Sequence, residues 1–519
     1  MASVQHNSRS TEDGARHDAP HGTDRPADGT APGHTGAAAR RDLAVRAAVA
    51  QGLISEAEPV VALLDVAGIR SSAAALRTAF EEVTAPGTPV LHAFAVKATA
   101  LVPVLRLLDA EGIGAEVASP GELALARAAG IPADRTVLDS PAKTTAELRE
   151  AVALGIAVNA DNPQELDRID ALVGSGPATA PFGLRVNPQI GAGSIGALST
   201  ATATSKFGVA LRDEGARAWV VQAYLDRPWL TRLHTHSGSQ GLPLELMARG
   251  VLAVYELAEE INAAAGRRQI DTLDIGGGLP VNFTSDEQTP TYATYARLLR
   301  DTVPGLLDGR YGLVTEFGRS LLAKHGLVLA RVEYAKSAGS RPIAVTHAGA
   351  QIATRTVYNP ASWPLRIAAY DAGGRPKAGP DVAQDIAGPA CFAGDLLAEN
   401  RPLPLLEQGD LVAALDTGAY YFTNHYAYNS LLRPGIQGFT VVPGGGARGG
   451  DGMTGASGVT GASGVNGASG VNGASGVNGA SGTGGAVDGD EVRFSTVRAP
   501  QTVAEIVAES GGPHADALL

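Results

Sequence analysis

Lys97 closes the segment His92-Ala93-Phe94-Ala95-Val96-Lys97, an apolar run that ends on a single ammonium. Such a run reads as a buried strand. A lysine at its end either snorkels outward or is held for chemistry, and a desolvated lysine is a nucleophilic amine able to form a Schiff base. Three more segments collect reactive groups at the ends of apolar runs: His234-Thr235-His236-Ser237-Gly238-Ser239-Gln240, Asp274-Ile275-Gly276-Gly277-Gly278 and Glu316-Phe317-Gly318-Arg319. Three glycines in a row let backbone N–H groups converge on an anion, and the same run can also be a plain turn. His234 and His236 share one strand face and can form a metal pair, yet no third ligand at useful spacing accompanies them. An imidazole capping a ring, or a satisfied core histidine, is the other reading. Glu316 at a buried strand end needs a partner, either Arg319 or a protonated ring nitrogen on a ligand. Glu122, Arg185 and Asn187 follow or end other runs of the same kind.

The elements that must position these groups alternate regularly. Strand patterns fall at 90–96, 115–118, 136–139, 157–159, 182–187, 230–236, 272–275 and 313–316. Helical patterns at 101–108, 121–129, 145–154 and 163–172 separate several of them. This is the count expected of an α/β (β/α)8 barrel, with a doubly wound open sheet as the competitor. Beyond residue 326 the rhythm turns to strands at 326–334, 342–347, 364–370, 410–415 and 439–442, which predicts a mainly β second domain. The expected organisation is a disordered tail over 1–41, a segment 42–84 contributing to the β domain through a strand at 58–66, the barrel over 85–325, and the β domain over 326–519. Tandem Gly-Ala-Ser-Gly-Val-Asn units over 444–489 read as a flexible insertion in a surface hairpin, because 438–442 and 491–496 on either side alternate like strands.

Composition narrows the function classes. The 519 residues carry a net charge of −12, which argues against nucleic acid as a partner. One cysteine excludes an intramolecular disulfide and fits a reducing compartment. No apolar stretch reaches the roughly 18 residues of a membrane span, and the N-terminus lacks the pattern of a secretory signal. A cytoplasmic protein without a membrane partner is expected.

One cofactor uses all the reactive segments at once. Pyridoxal phosphate needs a lysine for its aldehyde, a carboxylate at its pyridine nitrogen, and a glycine loop with an arginine for its phosphate. With Ala95-Val96-Lys97-Ala98, Ser205-Lys206-Phe207-Gly208, Gly388-Pro389-Ala390-Cys391 and Gly418-Ala419-Tyr420 added in order, the chain resembles the barrel-type (fold type III) pyridoxal-phosphate-dependent decarboxylases. This is the family of diaminopimelate, ornithine and arginine decarboxylases. The resemblance runs from about residue 60 to residue 507 and implies the alanine-racemase-like pairing of a barrel with a β domain. It implies that Lys97 carries the cofactor as a Schiff base, that His236 stacks on the ring and that Glu316 pairs with the ring nitrogen. Ser239, Gly277, Gly278, Gly318 and Arg319 would hold the phosphate, with Tyr420 approaching from the second domain. Cys391 would reach a partner subunit's site in a head-to-tail homodimer and protonate Cα, and Lys206 would join the dimer contact. Arg319, Arg355, Tyr358, Phe392, Asp395 and Tyr420 would face the substrate, and no metal is implied.

The sequence departs from the family at three places. Phe392 stands where diaminopimelate enzymes carry an acid directly after the cysteine. His347 stands where relatives often have an aspartate, and Phe317 where they usually have proline. Loss of both acids predicts a decarboxylase of a divergent branch, whose substrate has a neutral or anionic distal group. A racemase or epimerase on the same scaffold stays open, because Tyr420, Tyr421, Tyr426 and Tyr428 can supply a second proton carrier. A non-catalytic, regulatory homologue is the remaining alternative.

Overall fold

The structure, a computed structural model, describes residues 36–174, 179–442, 484–487 and 490–518. Residues 1–35 of the expected tail, and the repeat apart from 484–487, lie outside the described residues. Eight parallel strands close on themselves: Val90–Ala95, Gly114–Val117, Thr136–Asp139, Ala157–Ala160, Phe182–Asn187, Leu230–His234, Thr272–Asp274 and Gly312–Thr315, here called barrel strands one to eight. Strand eight pairs with strand one, with Val314 opposite Leu91, and so completes the barrel. A closed parallel ring has no edge, and its strands are short and almost wholly buried, which is why they read as continuous apolar runs.

Helices join the strands, and local signals fix their ends. Thr144 and Glu147 form a capping box before Thr145–Leu154, and Gly155 ends that helix at φ 73°. Ser119 caps Pro120–Ala128, while the Glu122 carboxylate accepts the Ala118 N–H at 2.7 Å. Glu122, singled out as a strand-end acid, is thereby committed to a helix start.

The β domain is a sheet with Val60–Asp65 at its centre, antiparallel to Gly326–Ala338 and parallel to Gly435–Val442. Gly435–Val442 and Asp490–Arg498 pair antiparallel with Phe439 opposite Phe494, so the two flanks of the repeat form the arms of one hairpin. The segment 42–84 divides between the two bodies. Its strand joins the β sheet, whereas Val66–Glu81 packs on the barrel helix Tyr292–Thr302, because Ile69, Ala73, Leu76 and Phe80 form an apolar stripe.

The expected end of the tail at residue 41 also moves. Ala37–Ala50 is a helix, favoured by its alanines, and buries Ala44, Val45, Ala47 and Ala48 over the outer face of the β sheet. Beneath it lie Leu63, Leu329, Tyr370 and Phe439. Arg40 anchors the helix on Asp65 at 2.6 Å, and Asp42 accepts the Tyr370 hydroxyl at 2.7 Å. Leu63→Ala should cost about 2–5 kcal/mol in denaturant unfolding, since the side chain is fully buried under this helix. A loss below about 1 kcal/mol would contradict that packing.

Candidate active site

The carboxyl ends of the barrel strands, facing the β domain, surround a cavity of about 230 Å³. Lys97 follows strand one on a single 3-10 turn, Val96–Ala98, which swings its side chain over the mouth. Its Nζ donates to Glu116 Oε2. Glu116 sits within strand two, opposite Ala95, and is fully buried. His236, Ser239, Gly278, Glu316, Gly318, Arg319, Arg355 and Tyr420 line the same cavity, as do Leu198, Thr200 and Phe207. A larger cavity of about 930 Å³, beside Trp229 and Arg232, opens at the opposite end of the strands and holds none of these groups.

Below the mouth the barrel holds four buried carboxyls, Glu116, Asp139, Asp274 and Glu316, around His234. His234 lies 3.7 Å from Asp139 and 3.6 Å from Glu316. Burial pulls its pKa down, but Asp139, Asp274 and Glu316 outweigh that and hold it up at about 9. The resulting imidazolium balances the acids, so the clustering of Asp139, His234 and Glu316 within 4.8 Å has a charge account without a metal ion. Burial alone would raise the Glu316 carboxyl. The nearby His234, His236 and Lys97 instead hold it well below its usual range. Both imidazoles stand beyond hydrogen-bond reach of it, at 3.6 and 3.7 Å, and both Glu316 oxygens are buried without a hydrogen-bond partner. Arg319 does not supply one.

His236 is fixed differently. Its Nδ1 accepts the Gly277 N–H at 3.1 Å, and burial pushes its pKa down, so the ring is neutral and carries its proton on Nε2. Gly278, at φ 95°, lies so near Gly238 that a Cβ would collide with the Gly238 carbonyl oxygen. Arg319 opens a short helix, with its guanidinium 4.4 Å from the Tyr420 ring and 4.9 Å from Trp363. Arg355 shares both rings, at 4.9 and 5.2 Å. Arg319 Nε and Arg355 Nη1 are buried without hydrogen-bond partners. Two adjacent cations in this state form a receptor for an anion.

The β domain grips the lysine turn directly. Tyr420 N–H donates to Ala98 O at 2.7 Å, Thr423 Oγ1 to Lys97 O at 3.0 Å, and the Thr99 hydroxyl lies 2.6 Å from Gly418 O. Tyr420 adopts φ 66° within this loop. At its foot Asp416 is chelated by Arg366 at 2.8 and 2.9 Å and approached by Lys324 at 3.3 Å.

The structure thus unites Lys97, His236, Ser239, Gly278, Glu316, Gly318, Arg319, Arg355 and Tyr420. Gly277 departs from expectation, since its N–H is spent on His236. Asp395 departs too: its two oxygens accept the Ala350 and Ala390 N–H groups at 2.6 and 2.7 Å, which leaves it holding the start of helix Ala350–Tyr358. Cys391, Phe392 and Tyr358 lie outside the cavity of their own chain. Cys391 is exposed and donates its N–H to Asn429, while Phe392 stacks on Tyr358 at 5.6 Å. Phe317, in place of proline, fills an aromatic nest of Phe80, Tyr292 and Tyr295. Glu116 was absent from the expected set. Its signal was a lone acid in the apolar run Gly114-Ala115-Glu116-Val117-Ala118.

A barrel mouth that presents an amine, an unpartnered carboxylate and two unpartnered guanidiniums defines an enzyme built around an anionic, carbonyl-bearing cofactor. The residues fit pyridoxal phosphate: Glu316 lacks the donor that a ring N–H would be, and Arg319 lacks the acceptor that a phosphate would be. Comparison with known proteins agrees. The profile of the pyridoxal-dependent decarboxylase pyridoxal binding domain matches residues 67–323. The diaminopimelate decarboxylase of Aquifex aeolicus is 31% identical over 361 residues, covering 69% of this chain and 82% of that protein. That of Pseudomonas aeruginosa is 34% identical over 347 residues, covering 66% and 80%. The crystal structure of the Helicobacter pylori diaminopimelate decarboxylase complexed with L-lysine shares the fold, with a TM-score of 0.67 at 22% identity over 88% of this chain and 97% of that one. The chain belongs to the pyridoxal-dependent decarboxylases, carboxy-lyases that act on amino acids with pyridoxal phosphate.

His234 gives the site a pH signature. Its pKa is 6.5 unperturbed and about 9 in the fold, so the stability it contributes is complete below about pH 6.5 and lost as pH rises through about 9. The loss is on the order of 3 kcal/mol. Between pH 6.5 and 10, wild type should therefore lose more unfolding free energy than His234→Gln. Parallel pH curves would contradict a charged His234.

Proposed function

We propose that the chain removes the α-carboxylate of an amino acid bound over Lys97, with Cys391 of a second copy returning a proton to Cα. The observation that carries this is the convergence of Lys97 Nζ, the unpartnered Glu316 carboxylate and the unpartnered Arg319 on one cavity. When bound, pyridoxal phosphate supplies an aldehyde for the amine and a cationic ring that accepts the electrons left at Cα. Lys97 provides the amine. Glu316, held ionised, would keep a proton on the ring nitrogen. The neutral His236 would stack on the ring, and Ser239, Gly278 and Gly318 with Arg319 and Tyr420 would hold the phosphate. Arg355 adds a cation for a substrate carboxylate. The β-domain loop at Gly418–Thr423 holds the Lys97 turn.

A head-to-tail homodimer is part of the proposal. Exposed Cys391 stands outside the cavity of its own chain, so reaching Cα requires a second copy. Lys206, exposed and with its Nζ 5.0 Å from the Phe207 ring centre, is available to that contact.

The relatives are named for diaminopimelate, whose distal end carries an ammonium and a carboxylate. Here the position after the cysteine is an aromatic surface, Phe392 on Tyr358, and His347 lies 3.4 Å from Glu333. We assign a substrate whose distal group is neutral or anionic. A racemase is the second reading, supported by Tyr420 lining the cavity with Lys97.

Purified protein given pyridoxal phosphate should show the visible absorption of the lysine adduct, lost in Lys97→Ala. Across a panel of L-, D- and meso-amino acids it should release CO2, and inversion at Cα without CO2 would favour the racemase. Lys97→Ala and Cys391→Ala should each be inactive, yet co-expression should restore about one quarter of wild-type activity, because half the dimers then carry one intact site of two. No recovery on co-expression would refute the shared site.

A further inference from the structure

We infer that Glu116 is the base that takes the ammonium proton of Lys97, and so makes Lys97 a nucleophile whenever the cofactor is loaded or substrate is exchanged. The inference rests on the proposed role of Lys97. A lysine must shed a proton before it can attack any carbonyl, and a carboxylate already in contact with its nitrogen is placed to receive it.

Glu116 is in contact with the reacting nitrogen through Oε2, while its Oε1 is buried without a partner. The transfer is simple: an N–H bond at Nζ breaks, an O–H bond at the Glu116 carboxylate forms, and the electron pair stays on nitrogen. The reverse step returns the proton when Lys97 is released. None of the other three acids around His234 is placed for this. Asp139 is tied to Arg185 at 3.1 Å, and Asp274 accepts from Asn159 at 3.1 Å and Gly276 at 3.0 Å. Glu316 faces the two histidines.

The groups facing the pair set its proton affinity. Burial, with Glu316 from strand eight and Asp139 from strand three, pushes the Glu116 carboxyl up to about 8 against the pull of Lys97. Burial draws the Lys97 ammonium down, but Glu116, Tyr420 from the β domain and Glu316 hold it above its ordinary value. The proton therefore rests on Lys97 and passes to Glu116 only as the amine attacks.

An ion pair with no role in proton transfer would look similar, and Glu116→Gln separates the two. Glutamine keeps the size and a hydrogen-bond acceptor but cannot take the proton. Two measurements on cofactor-free protein are needed: the pH midpoint for acetylation of Lys97 by acetic anhydride, read by peptide mass spectrometry, and the rate at which the visible band grows after adding pyridoxal phosphate. In Glu116→Gln the acetylation midpoint should fall by about one pH unit or more, because Lys97 loses its nearest charge partner. Loading should nevertheless slow at least about 10-fold at pH 7.5, and Glu116→Asp should recover most of it. If Glu116 were a charge partner alone, the more abundant free amine would make loading faster. Loading in Glu116→Gln as fast as wild type, or faster, overturns the inference. Wild type that acquires no visible band overturns the proposed function, and the inference with it.

Discussion

Burying four carboxyls around one histidine, His234, is the constraint on which this structure depends. Charge taken out of water is costly unless it is paired, and Glu116, Asp139, Asp274 and Glu316 are all buried. Each meets the requirement differently. Asp139 has Arg185, Asp274 has Asn159 and the Gly276 N–H, and Glu116 has Lys97. The His234 imidazolium stands among the acids and offsets part of their charge. Glu316 is held ionised by His234, His236 and Lys97 but has no hydrogen bond, and Arg319 Nε, on the same cavity, also lacks a partner. An apolar repacking would be more stable than such an arrangement, so the protein holds an incomplete polar network that a bound group of matching charge completes.

The second domain belongs to the same argument. A lysine on a lone 3-10 turn would be loosely held, and the loop running from Asp416 to Thr423 removes that freedom by bonding to residues 97–99 from outside the barrel. Its geometry is unusual, with Asp416 and Tyr420 both at positive φ. A non-glycine residue pays strain there, and it persists only where surrounding contacts over-determine it. Arg366 and Lys324 supply those contacts at Asp416, and the stack of Tyr420 on two guanidiniums supplies them at the other end. Reactive lysine, anion receptor and domain contact are therefore one mechanical unit.

Much of this was legible in the chain. All eight barrel strands announced themselves as short apolar runs because both strand faces are buried, and the reactive groups stood at their carboxyl ends. The β domain was less readable. Asp381–Ala387 and Leu396–Pro404 escaped notice because they pair with each other on a polar edge, where alternation is broken by Asp, Gln, Glu and Asn. Helix Ala37–Ala50 looked like a tail because alanine buries little area per residue, so its docking depends on a tertiary surface the sequence does not display. Glu122 and Asp395 were misread for a common reason. An acid near a strand end can serve backbone N–H groups as well as a ligand, and only geometry separates the two. Glu116 was missed for the opposite reason: an acid inside a four-residue strand gives no motif, and its meaning comes from Lys97 above it.

The central claim is that Lys97, and no other lysine, carries the cofactor. Lys143 is the instructive contrast, since it is fully buried, paired with Glu165 at 3.0 Å, and absent from the cavity that Lys97 lines. Borohydride reduction of the protein after loading with pyridoxal phosphate, followed by proteolysis and mass spectrometry, reads the attachment point directly. The account predicts a reduced pyridoxyl group on the peptide containing Lys97 and on no other. Labelling of Lys143 or Lys206 instead, or no labelled peptide at all, would contradict it.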